Sequence, residues 1–250
     1  MTNCKNCENS FEGSYCNICG QKKDTHRINL HYVVHELPHA LFHLESGIFF
    51  TIREMLLRPG INVSLFLEGK RVRYFKPVLY LLVLTTVSSL LNTWLKYLRS
   101  TSHQTVEAST NSNASFDNFV HYITTHPGIS LLGIVPLISL ITKLFFKKKG
   151  YNYWEHTVIN TYVVGTVNIF YIVFTLFKII LSSESLPSPI PLISLFIILT
   201  YLSWAYYQVF SNYKNKWWTL IKCIITPVLA FFLIIVLVGV VFGLLKYFKN

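Results

Sequence analysis

Long apolar segments alternate with short polar ones from residue 77 onward, whereas residues 1–76 are polar or amphipathic. A helix of roughly 20 apolar residues is needed to cross the ~30 Å hydrocarbon core of a bilayer. Five segments approach this length and composition: residues 77–95, 129–146, 158–181, 190–210 and 220–245. The pattern predicts an all-α polytopic membrane protein with about five transmembrane helices.

The second of these segments is the weakest candidate span. It is short, it carries Pro136 near its middle, and Lys143 falls in its last turn. A re-entrant or tilted segment is the alternative to a full crossing at this position.

Composition divides the chain into three parts and excludes an ordinary soluble protein. Charged residues make up 13% of the chain, about half of the ~25% usual in soluble domains, and the mean hydropathy is +0.43. We expect a cysteine-rich ribbon at 1–27, interfacial amphipathic helices at 28–76 and a transmembrane bundle at 77–250. The chain opens on a cysteine motif and not on the apolar h-region of a signal peptide.

Basic residues concentrate on alternate sides of the predicted spans. Residues 1–76 hold ten of the 22 Lys and Arg residues, and loops 147–157 and 211–219 hold three and two more. Loop 96–128 has two, both beside the first span, and loop 182–189 has none. The positive-inside rule therefore predicts five spans with a cytoplasmic N-terminus, although the basic C-terminus then lies outside.

Four cysteines near the N-terminus have the spacing of a metal site. The pairs are Cys4-x-x-Cys7 and Cys16-x-x-Cys19, separated by eight residues. Four thiolates supply the closed tetrahedral set that structural Zn²⁺ favours, which leaves no open position for catalysis. We predict a zinc ribbon. The alternatives are two disulfides, which a cytoplasmic location disfavours, and an iron–sulfur centre.

The basic excess does not indicate nucleic-acid binding. Residues 1–76 carry a net charge of +3, which falls to about +1 when four thiolates and a divalent ion are counted. Four basic residues directly precede the first span: Lys70, Arg71, Arg73 and Lys76. This cluster suits contact with anionic lipid, and a topology signal alone is the competing interpretation.

A histidine series follows the ribbon at a spacing of four residues: His31, His35, His39 and His43. On a helix these side chains form a stripe on one face, and Glu36 and Glu45 lie nearby in sequence. Two such histidines and a carboxylate can share a metal. Pro38 interrupts the helix, and the multiple histidine boxes of membrane di-iron enzymes are missing. An interfacial helix is therefore favoured over a second metal site.

Apolar residues recur at helical spacing after this series. Thr51-Ile52-Arg53-Glu54 matches a capping box, which predicts that a helix restarts there. Arg58-Pro59-Gly60 ends the segment, and another short apolar stretch follows. These elements are too short to span, so we expect them on the membrane surface or against the cytoplasmic ends of the spans.

The order of these motifs resembles a known family. The cysteine pairs are followed by His43-Leu44-Glu45-Ser46-Gly47, then Arg58-Pro59-Gly60, Glu68-Gly69-Lys70-Arg71 and Tyr74-Phe75-Lys76-Pro77. This order is similar to an uncharacterised family of Bacteroidetes membrane proteins, a domain of unknown function with an N-terminal zinc ribbon. The resemblance covers residues 4–95 and, more loosely, 150–156. It implies a multi-pass protein of the bacterial inner membrane and carries over no catalytic residue.

Polar residues share one face of the third predicted span. His156, Asn160 and Asn168 are spaced by four and eight residues. Polar groups in a span face a bundle interior or a cavity, so this face either lines a substrate path or forms hydrogen bonds between helices.

Three functional classes follow from these features. The favoured one is a non-catalytic scaffold or sensor whose ribbon and basic belt engage a cytoplasmic protein partner or anionic lipid. The second is a small transporter, channel or lipid-handling protein that forms a homo-oligomer and uses the polar face of the third span. The third is a membrane metalloenzyme that uses the histidines of residues 31–43.

Overall fold

The computed structural model of the chain describes residues 1–33, 47–102, 127–180, 189–211 and 215–247. His31 of the predicted histidine series lies within these ranges. The other members of the proposed second site lie outside the described residues: His35, Glu36, His39 and His43.

A small two-stranded ribbon forms the N-terminus. Strand β1 (Thr2–Asn3) pairs antiparallel with β2 (Ser10–Phe11), and Tyr15 forms an isolated bridge with Lys22. The ribbon has its own small core, made of two cysteines and the buried ring of Phe11. Because so few apolar residues are buried there, the ribbon needs a further constraint to hold its shape.

Between residues 47 and 76 the structure describes two short helices before the bundle: α1 (Ile48–Leu57) and α2 (Pro59–Glu68). Gly47 is the N-cap of α1, so Thr51 lies inside the helix and the capping box predicted at residues 51–54 is wrong. Pro59 begins α2, where its missing N–H would have no helical partner in any case.

Within the described ranges, five longer helices form the body of the protein. They are α3 (Pro77–Ser102), α4 (Pro127–Phe145), α5 (Tyr153–Ile180), α6 (Pro189–Phe210) and α7 (Lys216–Tyr247). Helices α3, α5, α6 and α7 are long and apolar enough to cross a membrane, as the hydrophobic pattern predicts. The chain is therefore a helical membrane protein.

Helix α4 runs antiparallel to α7. At its C-terminal end the Phe145 carbonyl accepts a hydrogen bond of 3.0 Å from Lys222 at the start of α7, while Ile138 packs near Ala230 further along α7. Its 19 residues give a length of about 28 Å, and it continues through Pro136. The C-terminus of α4 thus lies at the same end of the bundle as the N-terminus of α3. A full membrane crossing by α4 stays a prediction.

We call the end of the bundle nearest the ribbon the head end. It contains the starts of α3, α5 and α7 and the ends of α4 and α6. Three contacts define it: Arg27 with Gly150, Gly60 with Gln208, and Lys222 with Phe145. Helices α1 and α2 cover this end, where the Tyr201 hydroxyl of α6 donates to the Met55 carbonyl of α1 over 3.0 Å.

Helix α5 is the central element of the bundle. Its candidate span is 56% buried, compared with 28% for α6 and for α7. The Tyr80 ring of α3 lies against Gly165, and its hydroxyl lies 3.0 Å from the Thr166 hydroxyl. Large apolar side chains of α6 and α7 are exposed on the outside, as expected for surfaces that face lipid.

A close helix contact at the head end depends on Gly60. A Cβ atom at this position would lie 2.4 Å from the backbone carbon of Gln208, so α2 and α6 approach each other only because residue 60 has no side chain. The Gly60 N–H also donates to the Gln208 side-chain oxygen over 3.1 Å.

We expect Gly60→Ala to destabilise the protein by about 1–3 kcal/mol, because α2 and α6 must separate to admit the methyl group. Thermal unfolding in detergent measures the effect. Gly133→Ala is the matched control, since no atom lies within 4 Å of a Cβ there and alanine favours the helix. Equal melting temperatures for the two variants would contradict the proposed packing.

Candidate metal centre and its docking on the helical body

The four cysteines come from two turns with the same backbone pattern. The Glu8 N–H donates to the Cys4 carbonyl and the Gly20 N–H donates to the Cys16 carbonyl, each over 2.9 Å. Residues 8 and 20 both adopt positive φ angles, of 62° and 72°. This conformation turns the chain sharply after each Cys-x-x-Cys pair, and glycine adopts it without strain. The two turns therefore present their sulfur atoms to one point.

The sulfur atoms have the spacing of a tetrahedral metal site. Cys4 Sγ lies 3.5 Å from Cys19 Sγ, and Cys7 Sγ lies 3.6 Å from Cys16 Sγ. All four sulfurs are within 4.8 Å of one another. Metal–sulfur bonds of about 2.3 Å at tetrahedral angles place sulfurs about 3.8 Å apart. The cluster can hold one metal ion through all four cysteines.

Backbone N–H groups stabilise thiolates in the second turn. The N–H of Cys19, and less strongly that of Ile18, lowers the pKa of Cys16 to about 6 against the effect of desolvation. Desolvation opposes ionisation of Cys19, yet the N–H of Gln21 is among the groups that lower its pKa overall. Thiolates are the metal-binding form of cysteine, so this backbone favours a bound cation.

Gln21, directly after the second turn, fixes the ribbon to the helical body. Its side chain is 3% exposed, and its oxygen accepts hydrogen bonds from the N–H groups of Arg71 (3.0 Å) and Val72 (3.2 Å). Its carbonyl accepts from the Cys16 N–H over 2.9 Å. One residue thus bonds both the metal-binding turn and the segment before the first span.

Arg27 forms a second attachment, at the start of α5. Its guanidinium donates to both oxygens of Glu155 over 2.7 and 2.8 Å and to the Gly150 carbonyl over 2.6 Å. The Asn152 amide also donates to the Ile28 carbonyl over 2.8 Å. This bidentate pair holds the chain that leaves the ribbon against the head end.

Glu155 is held in place by a capping box that the sequence analysis missed. The Asn152 oxygen accepts from the Glu155 N–H over 2.8 Å, and the Glu155 carboxylate accepts from the Asn152 N–H over 2.7 Å. The pattern Asn-x-x-Glu before an apolar run was a usable signal for this helix start.

A buried polar group joins α1, α2 and the segment before α3. The Asn62 amide donates to the Glu54 carboxylate over 3.2 Å and to the Arg58 carbonyl over 2.7 Å, while the Tyr74 hydroxyl donates to the Asn62 oxygen over 2.7 Å. Glu54 also pairs with Arg58 at 3.5 Å. No spacing rule in the sequence singles out Asn62, and the Thr51-x-x-Glu54 pattern marked Glu54 only for a capping role that it does not have.

The predicted polar face of the third span is partly assembled in the bundle interior. The Asn160 amide donates to the hydroxyls of Ser139 (3.1 Å) and Thr142 (3.0 Å), and its oxygen accepts from Tyr206 over 2.8 Å. Asn160 therefore connects α4, α5 and α6. Asn168 is not part of this group, because its amide donates to the Val164 carbonyl of its own helix over 3.2 Å.

His156 is fully buried one turn before Asn160. Among the residues that the structure describes, neither of its ring nitrogens has a hydrogen-bond partner. Its ring stacks on Phe210 at 5.6 Å and meets the edge of Tyr151 at 6.1 Å. The contacts around His156 are thus mainly aromatic.

The predicted basic cluster is divided between two environments. Arg71 donates to the carbonyls of Phe66 (3.3 Å) and His26 (2.8 Å) and lies over the Tyr32 ring at 4.6 Å. Arg73 is exposed, and Lys70 and Lys76 are half-buried. Arg71 thus contributes to docking of the ribbon, and contact of the other three with lipid stays a prediction.

The fold and the cysteine cluster define the class: a polytopic helical membrane protein with an N-terminal metal-binding ribbon. Residues 45–88 match a family model described as "Protein of unknown function (DUF3667)". The match covers α1, α2 and the first half of α3. It includes Arg71 and Val72, whose N–H groups bond to Gln21. No curated protein and no solved structure matches the chain.

We expect Gln21→Ala to loosen the ribbon from the body, because two backbone N–H groups lose their acceptor. Hydrogen exchange of the full-length protein in nanodiscs should show roughly tenfold faster exchange at Arg71 and Val72. Lys22→Ala, at the next and exposed position, is the control and should leave both amides protected. Unchanged exchange in Gln21→Ala would mean that Gln21 does not hold the ribbon.

Proposed function

We propose that this is a non-catalytic protein of the bacterial inner membrane, in which a zinc-bound ribbon on the cytoplasmic side acts as a partner-binding head fixed to the transmembrane bundle. The observation that carries the proposal is the double attachment of the ribbon, through Gln21 and through Arg27. A head fixed in this way transmits the position of a bound partner to the helices, as a scaffold or sensor requires.

The cysteine set supports a structural role for the metal. Four thiolates fill the tetrahedral shell of Zn²⁺, so no position is left for a substrate or an activated water. The small ribbon core supports the same view, because so few buried apolar residues supply little stability without a metal.

The free surface of the ribbon supports contact with a protein partner. Tyr15 is 61% exposed and Ile18 is 68% exposed, both within or beside the second metal-binding turn. Exposed apolar and aromatic side chains on a small rigid element are typical of contact surfaces. Since Ile18 lies between Cys16 and Cys19, its position depends on the bound metal.

The distribution of charge supports a cytoplasmic head. The exposed Lys147 lies at the head end together with Arg73 before the first span. Basic residues on this side agree with the positive-inside rule and with contact between the basic belt and anionic lipid.

We expect one zinc ion per chain in the purified full-length protein, measured by elemental analysis. Cys16→Ser should reduce the zinc content to near zero, because three thiolates and a hydroxyl hold the ion far more weakly. Cys223→Ser is the control, since this cysteine lies in α7 away from the cluster, and it should retain the metal. Iron with the absorption of an iron–sulfur cluster would contradict the assignment.

A photoreactive residue in place of Ile18 should cross-link in native membranes to one discrete protein partner. The adduct should disappear in the Cys4→Ser background, where the turn loses its metal. The same residue in place of Glu12, exposed and polar on the same ribbon, is the control and should give no adduct. Identical patterns from both positions, or none from either, would overturn the proposed partner face.

A further inference from the structure

A cavity of about 330 Å³ lies at the head end between α2, the 3-10 turn Lys147–Lys149 and the end of α6. Its lining is polar and apolar in similar measure, and five polar or charged side chains contribute to it: Ser64, Glu68, Lys149, Gln208 and Ser211. This cavity is separate from the cysteine cluster and from the Asn160 group. It therefore represents a site that the proposed function does not use.

The local fold gives the cavity its shape. Gly60, Ser64 and Glu68 are spaced by four residues, so they share one face of α2. The contact of Gly60 with Gln208 closes one end, because the two backbones are in direct contact there. The turn Lys147–Lys149 contributes Lys149 to the lining.

Two opposite charges line the same cavity without neutralising each other. Within the described part of the chain, neither Lys149 nor Glu68 forms an ion pair. Lys149 is half-buried, whereas Glu68 is exposed. Desolvation lowers the pKa of Lys149, so a bound anion would stabilise the charged form of its side chain. A ligand with both a negative and a positive group satisfies both side chains at once.

The cavity lies at the level expected for lipid headgroups. Gln208 is near the end of the α6 candidate span, one turn beyond the partly exposed Trp204, and Ser211 directly follows the span. Aromatic residues of this kind mark the membrane interface. Ile61, which also lines the cavity, is 56% exposed and provides an apolar edge for acyl chains.

We propose that this cavity binds a phosphoethanolamine group, with the phosphate at Lys149 and the primary ammonium at Glu68. The volume is at the lower end of the range for ligand sites, about 300–1,000 Å³, which suits a headgroup and not a whole lipid. A primary ammonium donates hydrogen bonds to a carboxylate, whereas a trimethylammonium has no N–H to donate. The site therefore selects ethanolamine over choline.

Native mass spectrometry of the full-length protein tests this site. Phosphatidylethanolamine, phosphatidylglycerol and phosphatidylcholine with identical acyl chains are offered in detergent. We expect the ethanolamine lipid to be retained about tenfold better than the other two, the effect of one charged hydrogen-bonding partner. Lys149→Gln should reduce its retention by a similar factor, and Glu68→Gln should abolish the preference over phosphatidylglycerol.

Lys147→Gln is the matched control, because Lys147 is in the same turn but is exposed and does not line the cavity. Equal retention of the three lipids, or equal behaviour of the Lys149 and Lys147 variants, would overturn the proposal. Unchanged metal content in each variant shows that the ribbon is intact. A competition experiment with soluble phosphoethanolamine shows whether the bound group belongs to a lipid or to a soluble molecule. If soluble phosphoethanolamine displaces the lipid at equal concentration, the ligand is the soluble molecule; if it does not, the ligand is the lipid.

Discussion

The peptide groups of Phe75 impose the constraint on which the head end depends. This residue is 1% exposed, so its peptide groups are buried. Its N–H donates to the Thr51 hydroxyl over 2.8 Å, and its carbonyl accepts from the Tyr162 hydroxyl over 2.6 Å. An unpaired buried peptide group costs about 1–3 kcal/mol, so α1 and α5 must both be in place where the chain enters the first span.

The ribbon docks on the same segment from the other side. The segment 71–75 contacts Gln21 at its first residue and both Thr51 and Tyr162 at its last. Three distant parts of the chain therefore bind to these five residues. The Arg27–Glu155 pair adds a second connection at the start of α5. Two attachments, one at the segment before α3 and one at the start of α5, restrict rotation of the ribbon, which a single flexible tether would allow. The ribbon and the bundle therefore behave as one mechanical unit at this end.

Sequence patterns predicted the features of this protein that depend on residues close together in the chain. Hydrophobic length identified four helices able to span, and two Cys-x-x-Cys pairs identified the metal-binding cluster. Capping boxes show the limit of such patterns, since Thr51-x-x-Glu54 and Asn152-x-x-Glu155 look alike in sequence. Helix α1 already begins at Ile48, which leaves the first pattern inside a helix. Gln21 was beyond prediction because its partners lie 50 and 51 residues away and its neighbours carry no sign of them.

The end of α2 and the residues directly after it contact both the cavity at the head end and the ribbon. Glu68 lines the cavity, Gly69 lies against Thr25 of the ribbon linker, and Arg71 receives Gln21. A Cβ atom at Gly69 would lie 2.7 Å from the Thr25 hydroxyl, so the end of α2 has no free space in which to move alone. A headgroup bound at Glu68, as proposed, would therefore lie three residues from the attachment point of the ribbon at Arg71. Coupling between the proposed ligand site and the ribbon would need only this direct packing, without a rearrangement of the spans.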